Sequence, residues 1–309
     1  MRQTATAFAP GSIGNVGPGL DIVGLAVAGL GDAVTLARRE GSDSGIEIID
    51  PGHRDLPRDP ARHASAIAAA AVFERAGCCA SVTMSVRKGL PLAGGQGGSA
   101  ASAIAGAVAA NHLCEAGLDA TALLECGLAA ESTVAGRHAD NLAPALLGGL
   151  VLIRSLDPLD LIRLPVPDRL RIVLVHPAQQ LRTSMARAAL PEMIAREVVL
   201  VQAANIAGMV AGAYLGDLAL FGRSVDDRIA EPARRHLLPG FDGAKAAALA
   251  SGALACSISG AGPTVFALVD DPGVGAKVGS AMVAAYARAG VDARARVDDV
   301  DTQGARVCS

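Results

Sequence analysis

The sequence predicts an α+β protein in which helices and sheets pack as separate layers. After residue 170 the hydrophobic patterns give a strand, a series of helices, two strands, a helix and a last strand, an order that is typical of this class. With 309 residues, the chain can bury one large core or form two domains of ordinary size. No internal repeat or low-complexity segment is evident.

Composition excludes several classes of protein. A net charge of −3 with 18% charged residues provides no basic surface for nucleic acid. The stretches that we identify as most apolar, residues 64–73 and 143–153, are shorter than the ~20 residues of a membrane span. The polar N-terminus does not resemble a signal peptide. Six cysteines without CxxC spacing predict reduced thiols, mostly in the core, and a cytoplasmic protein.

In the N-terminal half, short alternating or apolar patterns predict strands at residues 5–8, 25–37, 46–49, 81–86 and 150–153. Helices are predicted at residues 63–76, 99–116 and 119–134, the last with Asp119 in the N-cap position. Residues 155–169 are rich in Pro, Asp and Leu without a period. We therefore place a boundary there, between domains 1–160 and 161–309.

In the C-terminal half, a buried strand is predicted at residues 170–176. The helices that follow it are predicted at residues 183–189, 192–215, 217–226, 232–238 and 241–251. Two strands at residues 253–259 and 265–269 flank a glycine turn, and a helix at residues 275–288 precedes the last strand at 291–297. Gly290 would cap that helix.

A glycine-rich stretch joins the strand at 81–86 to the helix at 99–116. Residues 89–101, here called the second glycine segment, contain five glycines, and Ser99 lies where the helix begins. Dense glycine indicates backbone with positive φ or a close approach to a ligand. Because first-turn amides lack partners and the helix dipole adds positive charge, this position favours an anion. We predict that it binds a nucleotide's phosphates.

Two other phosphate loops can be compared with this segment. The GxxxxGK[ST] pattern is absent. Residues 95–100 fit a GxGxxA dinucleotide fingerprint, but the acidic residue about twenty positions later, Glu115, falls in the same helix pattern instead of after a second strand. A flexible loop before an ordinary core helix is a further alternative.

Other loops also carry polar groups. The first glycine segment, residues 10–21, contains Asn15 and Asp21, which in isolation would satisfy their own turn. Glu131 interrupts an apolar helical turn, where an exposed glutamate is the ordinary explanation. His138, Asp140 and Asn141 share one loop, and the third glycine segment, residues 259–264, turns between two strands as many hairpins do.

Together the three glycine segments resemble, in the same order, the motifs of the GHMP kinase superfamily of galactokinase, homoserine kinase, mevalonate kinase and phosphomevalonate kinase. The residues His138-Ala139-Asp140-Asn141, with Ala143 to Gly149, resemble the homoserine kinases, as do 229–234 and 238–241. The resemblance implies an N-terminal domain like ribosomal protein S5 domain 2 and a ferredoxin-like C-terminal domain. It also implies ATP-dependent phosphorylation of the L-homoserine side chain, a step toward threonine, with the active site between the domains.

The resemblance further implies which residues bind ATP and its metal. Ser99 and Glu131 would hold Mg²⁺, which needs only one or two protein oxygens besides water and phosphate. His63 stands where relatives place an adenine-contacting asparagine. The remaining ATP contacts would come from Lys88, Pro91, Leu92, Ala93, Gly94, Gly95, Gln96, Gly97, Gly98, Ser99 and Ala100.

The substrate residues follow from the same resemblance and agree with the chemistry of a zwitterion. Asp21 would bind the ammonium group, with Asn15 and Asp140 beside it, and Arg187 and Arg234 would bind the carboxylate. His138 completes this substrate set. The amides of residues 260–262, Gly260 among them, would hold the substrate or the γ-phosphate.

For catalysis we predict Asn141, Asp140, Ser99 and Glu131. Asn141 replaces the aspartate base of mevalonate-kinase-like relatives, and an amide cannot accept a proton, so the prediction is direct transfer without a dedicated base. Asp140 could still act through water. The composition and resemblance are compatible with a homodimer that binds neither nucleic acid nor membrane.

Three departures from the family pattern bear on these assignments: Gly98 in place of a serine, residues 10–15 reading Pro-Gly-Ser-Ile-Gly-Asn, and His63. A sibling kinase acting on mevalonate or a sugar is therefore the main alternative. An NAD(P)-binding oxidoreductase and a silent ATP-binding module are two more.

Overall fold

The computed structural model describes residues 2–40, 44–134 and 136–308. The strands are β1 (Thr4–Gly14), β2 (Val23–Arg38), β3 (Gly45–Asp50), β4 (Ser81–Arg87), β5 (Leu150–Leu156), β6 (Leu159–Leu164), β7 (Arg171–Pro177), β8 (Ala255–Ile258), β9 (Val265–Val269), β10 (Ala293–Asp298) and β11 (Arg306–Cys308). The helices are α1 (Ala64–Arg75), α2 (Gly98–Cys114), α3 (Ala120–Val134), α4 (Leu142–Leu147), α5 (Thr183–Ala188), α6 (Arg196–Leu215), α7 (Leu218–Ser224), α8 (Ala230–Arg234), α9 (Phe241–Ala250) and α10 (Pro272–Arg288).

Seven strands form the first sheet. Its main path is β11-β1-β2-β4-β3. Strand β5 pairs with the first residues of β2, Val23 to Leu25, and β6 pairs with β5. All pairs are antiparallel except β3 with β4. Helices α1, α2 and α3 pack on one another, and α2 contacts β1 and β2. Many core residues of α1 and α2 are alanines, which allow helices to approach closely.

The second sheet has the order β10-β7-β9-β8 and is fully antiparallel. Helices α9 and α10 cover one face. The hydrophobic cluster at the other face combines Ile172, Phe266 and Leu268 of this sheet with Ile13 and Leu25 of the first. The two sheets therefore share a core, which fixes the first and third glycine segments relative to each other.

The first strand is longer than the sequence indicates. Prolines and glycines led us to predict that the strand ends at residue 8, yet β1 continues to Gly14 and pairs with β2 throughout. The register of β1 against β2 shifts between Pro10 and Gly11, as it does at a β-bulge, and the strand continues past the proline. The shaped turn is thus confined to the residues after Gly14.

A hairpin occupies much of the region predicted as an aperiodic connection. Strands β5 and β6 pair from Leu150–Leu164 to Leu156–Leu159, so that prediction was wrong for residues 155–164. At the other end of the chain, β11 pairs with β1, which returns the C-terminus to the first sheet. The division into residues 1–160 and 161–309 stays a prediction.

Two cysteines differ from expectation. Cys78 and Cys114 form a disulfide between the ends of α1 and α2, so the prediction that all six are reduced was wrong for this pair. Cys126 and Cys256 are buried free thiols, whereas Cys79 and Cys308 are exposed. The pairing follows from the contact between two helix ends 36 residues apart, which no sequence spacing reveals.

Helix α6 corrects our search for apolar stretches. Its 20 residues have a mean hydropathy of 1.7 over an 18-residue window that is 22% buried, and within the described residues it alone is long and apolar enough to cross a membrane. Its inner face carries Gln202, Met209, Gly212 and Ala213, all buried. Met209 and Ala213 belong to the core shared by the two sheets, so one face of α6 packs on that core.

Candidate active site

The three glycine segments meet where the two sheets adjoin. The Gly260 amide donates to the Gly14 carbonyl at 3.0 Å, and Asn15 Nδ2 donates to the Gly260 carbonyl at 3.0 Å. Ser259 Oγ donates to the Gly95 carbonyl at 2.6 Å. These bonds span 164 and 245 residues of sequence and assemble the segments into one wall.

The second glycine segment leads directly into α2. Gly97 is the N-cap with φ 68°, and Gly95 has φ 72°, both in the region that favours glycine. A Cβ at Gly95 would lie 2.6 Å from the Gly262 carbonyl oxygen, and one at Gly97 would collide with Ser12 Oγ. The glycines thus allow close packing and leave the first-turn amides of α2 as an anion site.

A buried carboxylate that sequence reasoning missed anchors this segment. Asp32 of β2 is 0% exposed and accepts hydrogen bonds from the amides of Gly89 and Leu90 at 3.0 and 3.3 Å and from Ser102 Oγ at 2.6 Å. It also pairs with Lys88, whose ammonium donates to the Gly98 carbonyl at 3.0 Å. The one signal in the sequence is a lone aspartate in an otherwise apolar strand.

Ser99 and Glu131 provide oxygens with no partner outside this pair. Ser99 Oγ and Glu131 Oε2 are buried, and neither bonds to any other group of the described residues. Burial, with repulsion from Asp140, raises the pKa of Glu131 to about 7, although the nearby Ser99 hydroxyl lowers it. Unpaired buried oxygens are costly, so a hydroxyl and a carboxylate in this state fit a hard cation that takes oxygen ligands.

The side chains of Asp140 and Asn141 lie close to Gly14, the last residue of β1. Asp140 is 5% exposed, and burial together with repulsion from Asp21 raises its pKa to about 7. Ser12 Oγ donates to Asn141 Oδ1 at 2.9 Å, which fixes that amide. A Cβ at Gly14 would lie 2.6 Å from Asn141 Nδ2, so glycine is what admits these two side chains.

Asp21 and Arg187 face each other directly. Arg187 Nη1 and Nη2 donate to the two carboxylate oxygens of Asp21 at 2.7 and 2.6 Å. Burial would raise the pKa of Asp21, but the hydrogen bonds and charge of Arg187, with smaller contributions from His138 and Arg234, lower it overall. His138 Nδ1 is 3.7 Å from Asp21. The Asp21 carboxylate and the guanidinium groups of Arg187 and Arg234 therefore line one cavity.

Arg234 is held by hydrogen bonds that we did not predict. Its Nε donates to the Ala186 carbonyl and its Nη1 to the Gly260 carbonyl, both at 3.0 Å. Buried Asp227 accepts from the amides of Ile229, Ala230 and Glu231 and so caps α8, which carries Arg234. Only the tertiary structure identifies this anchor.

Hydrogen bonds among the glycine segments occupy polar groups that we predicted to contact a ligand. The Gly260 amide donates to Gly14, and the Gly262 amide donates to the Ser259 carbonyl at 2.8 Å. These two amides are therefore occupied, so the prediction that the amides of residues 260–262 hold substrate or phosphate was wrong for Gly260 and Gly262. It stays a prediction for Ala261, which lines the cavity. Asn15 likewise uses Nδ2 on Gly260, and its Oδ1 accepts from the Asp21 amide at 3.1 Å.

One cavity of about 690 Å³ contains nearly all of the predicted site. His63 lies beside Leu56, Pro57 and Arg62 at this cavity, and its Nε2 is 3.2 Å from the Pro51 carbonyl oxygen. The predicted residues that line it are Asn15, Asp21, His63, Lys88, Pro91, Leu92, Ala93, Gly94, Gly95, Gly97, Gly98, Ser99, Ala100, Glu131, His138, Asp140, Asn141, Arg187, Arg234 and Gly260. Leu181 to Ser184 also line it and were missed.

Gln96 is the exception among the predicted residues. It does not line the cavity, and its buried side chain bonds instead to Thr264 and Arg296. The side chain of Gln96 therefore bonds away from the cavity, and the prediction that Gln96 binds ATP stays a prediction. The alternation of side-chain direction in an irregular loop cannot be deduced from its glycine content.

Comparison with known proteins agrees with this geometry. Residues 63–149 match the family model described as "GHMP kinases N terminal domain", and residues 209–288 match "GHMP kinases C terminal". A homoserine kinase of Chlorobium phaeobacteroides (strain BS1) is 40% identical over 92% of both chains. That of Arabidopsis thaliana is 41% identical over 97% of this chain and 83% of its own.

A solved structure extends the similarity to three dimensions. The crystal structure of homoserine kinase from Cytophaga hutchinsonii superimposes with a TM-score of 0.95 at 39% identity, covering 100% of this chain and 98% of that one. The likeness includes both sheets and all three glycine segments, because the whole chain is covered. The chain therefore belongs to the GHMP kinase family and, within it, to the group of the homoserine kinases.

Proposed function

We propose that this protein transfers the γ-phosphoryl group of ATP to the side-chain hydroxyl of L-homoserine, giving O-phospho-L-homoserine. The proposal rests on one observation. The same cavity contains the N-terminus of α2, which favours an anion, and the oppositely charged side chains of Asp21 and Arg187. The named homoserine kinases at about 40% identity support the choice of amino acid. Such a kinase is expected in the cytoplasm.

The triphosphate would lie against the amides at the start of α2. No side chain is needed there, since helix N-termini and positive-φ turns bind phosphate through the backbone. Lys88 would add positive charge near this site while remaining paired with Asp32. The base of the nucleotide would lie near Leu56, Pro57 and His63, which line the same cavity.

Ser99 and Glu131 would hold Mg²⁺, because they offer buried oxygens that no protein donor satisfies. When bound, the ion neutralises phosphate charge during transfer. No cluster of three or more His, Cys, Asp or Glu able to hold a metal occurs in the parts of the chain that are described. This agrees with an ion that takes most of its ligands from phosphate and water.

In this structure, Asp21 and Arg187 of the proposed amino-acid pocket pair with each other. A zwitterion offers an ammonium that can replace Arg187 as the partner of Asp21, and a carboxylate that can replace Asp21 as the partner of Arg187. This exchange keeps every buried charge paired, which a neutral sugar could not do. Arg234, fixed by Ala186 and Gly260, would add a second cation for the carboxylate.

For the transfer itself we propose positioning without a dedicated base. The attacking oxygen is only weakly bonded in a loose phosphoryl-transfer transition state, so orientation supplies most of the rate. Asn141, held by Ser12 at its Oδ1, leaves Nδ2 to orient the substrate hydroxyl. Asp140, with its pKa raised to about 7, is the nearest carboxylate that could receive the proton through water.

A coupled assay of ADP release tests the proposal. Homoserine, threonine, serine, mevalonate and galactose are compared at equal concentration with Mg²⁺-ATP, and we expect homoserine to give the highest kcat/KM. Turnover of mevalonate or galactose with homoserine inert would establish the sibling-kinase alternative instead. Nicotinamide binding that survives metal removal would support the oxidoreductase alternative.

A further inference from the structure

One side chain of the second glycine segment turns away from the cavity. Gln96 is 4% exposed and stands between Gly95 and Gly97, which have φ values of 72° and 68°. Gly94 and Gly98 flank these in turn. The four glycines have no side chains that could fix their backbone conformation. Gln96 is therefore the residue of this run whose side chain can bond the run to the rest of the protein.

Gln96 connects both sheets, through its side-chain amide and its main-chain carbonyl. Gln96 Nε2 donates to Thr264 Oγ1 at 3.1 Å, and Arg296 Nη2 donates to Gln96 Oε1 at 3.0 Å. The main-chain carbonyl of Gln96 accepts from the Ser12 amide at 3.1 Å. The segment is thereby tied to β1 of the first sheet, and to β10 and the start of β9 in the second.

The partners of Gln96 are themselves held in place. Thr264 Oγ1 is 3.0 Å from His176 Nδ1, and Arg296 pairs with Asp298 at 2.7 Å. Breaking either bond would leave a buried polar group of Thr264 or Arg296 without this partner, which costs free energy. The network therefore favours a single orientation of the glutamine amide.

The turn between β8 and β9 fastens the preceding glycines in the same way. The Thr264 amide donates to the Gly94 carbonyl at 3.3 Å, and the Ser259 hydroxyl donates to the Gly95 carbonyl. Carbonyls at Gly94, Gly95 and Gln96 are thus all occupied by donors of the protein wall. Together with the bonds of Gln96 to Thr264 and Arg296, these bonds set the backbone conformation before α2 in the absence of a ligand.

We propose that Gln96 is a positioning residue for ATP, which holds the left-handed glycines of the second glycine segment in their binding conformation by bridging Thr264 and Arg296. Without the bridge, ATP would have to order these glycines as it binds, and that ordering entropy would weaken its affinity. Homoserine would be affected less, because Asp21, Arg187 and Arg234 bond to none of these partners. The inference rests on the proposed function only in taking ATP as the nucleotide.

The test measures the Kd of a non-hydrolysable ATP analogue with Mg²⁺ by calorimetry, beside the KM of homoserine. Gln96→Leu keeps most of the side-chain volume and removes both bonds; we expect the Kd to rise about tenfold and the homoserine KM to change less than twofold. Thr264→Val removes one of the two bonds of the Gln96 amide, together with the contact between Thr264 and His176, and should raise the Kd about threefold. Because both act through one bridge, the double variant should bind about as Gln96→Leu does. Gln303→Leu, at an exposed position, is the control and should leave the Kd within twofold.

The proposal is overturned if Gln96→Leu binds the analogue as the parent does, or if the Kd and the homoserine KM rise equally. Additive effects of the two substitutions would also overturn it. If Gln96→Leu does not fold, Thr264→Val decides: an unchanged Kd refutes the bridge, and a selective rise in Kd supports it. A parent protein that binds the analogue without phosphorylating homoserine would contradict the proposed function, while the comparison of Kd values would still decide the role of Gln96.

Discussion

Replacing Glu131 with glutamine should make the metal-free protein more stable at pH 8 but not at pH 5. In the folded protein, burial and Asp140 raise the pKa of Glu131 from 4.5 to about 7. Between these values the folded state holds a proton that the unfolded state has released. Stability therefore falls as the pH rises from about 4.5 to about 7 and stays low above that. Glutamine carries no charge at either pH, so the variant avoids this loss.

The size of the effect follows from the pKa difference. At about 1.4 kcal/mol per pKa unit, a rise from 4.5 to about 7 corresponds to about 3 kcal/mol at pH 8 and to less than about 1 kcal/mol at pH 5. For a chain of this length, about 2 °C per kcal/mol is expected. We thus expect the Tm of Glu131→Gln to exceed that of the parent by about 6 °C at pH 8, and by less than about 2 °C at pH 5.

The assay is thermal unfolding in EDTA at both pH values, followed by fluorescence of an added dye. Glu74→Gln, on an exposed position of α1, is the control and should shift the Tm by less than about 1 °C at either pH. Adding Mg²⁺ and an ATP analogue at pH 8 should then stabilise the parent more than Glu131→Gln. A variant that is less stable than the parent at pH 8, or equally shifted at both pH values, would refute the reasoning.

Four further outcomes are expected. Ser99→Ala should lower Mg²⁺-dependent kcat/KM at least tenfold while homoserine binding changes less than twofold, since it removes a proposed metal oxygen; equal effects on both would argue against that role. Arg187→Ala should raise the homoserine KM by about tenfold or more, measured by ADP release, because a bidentate partner for a carboxylate is lost; an unchanged KM would remove Arg187 from the pocket. Asn141→Asp should lower kcat and alter its dependence on pH between 6 and 9, because it adds a carboxylate beside Asp140, and an unchanged profile would remove the support for transfer without a base. Gly24→Ala should destabilise the fold by about 3 kcal/mol or more in urea unfolding, because its Cβ would overlap the carbonyl of Asp140; native-like stability would contradict this packing.

The site could be predicted to a large extent from the sequence because its signals are local. A glycine-rich segment before a helix, with Ser99 at the first turn, indicates an anion site from backbone geometry alone. Polar residues in apolar surroundings, such as Glu131 and the His138–Asn141 loop, needed the resemblance of the whole chain to acquire roles. The predicted helices α1, α2, α3 and α10 are present with small shifts at their ends, since helical periodicity can be recognised within a short window.

Other features could not be predicted because they depend on contacts between distant residues. Asp32 bonds to residues 56 to 70 positions away, and the disulfide joins helix ends that meet only in the fold. The extension of β1 past Pro10 and the β5–β6 hairpin depend on pairing with neighbouring strands. Pairing of this kind overrides local propensity.

The sequence by itself determined where the backbone can bend through positive φ, where helices begin, and which chemical groups are available at those points. Only the tertiary structure decided the direction of each side chain and its partner: Gln96 toward Arg296 and away from the cavity, Arg187 onto Asp21, and Asp227 behind Arg234. The physical reason is that backbone conformation depends mainly on a residue and its near neighbours. Burial, hydrogen bonding and charge pairing depend on which surfaces come together when the two sheets share a core.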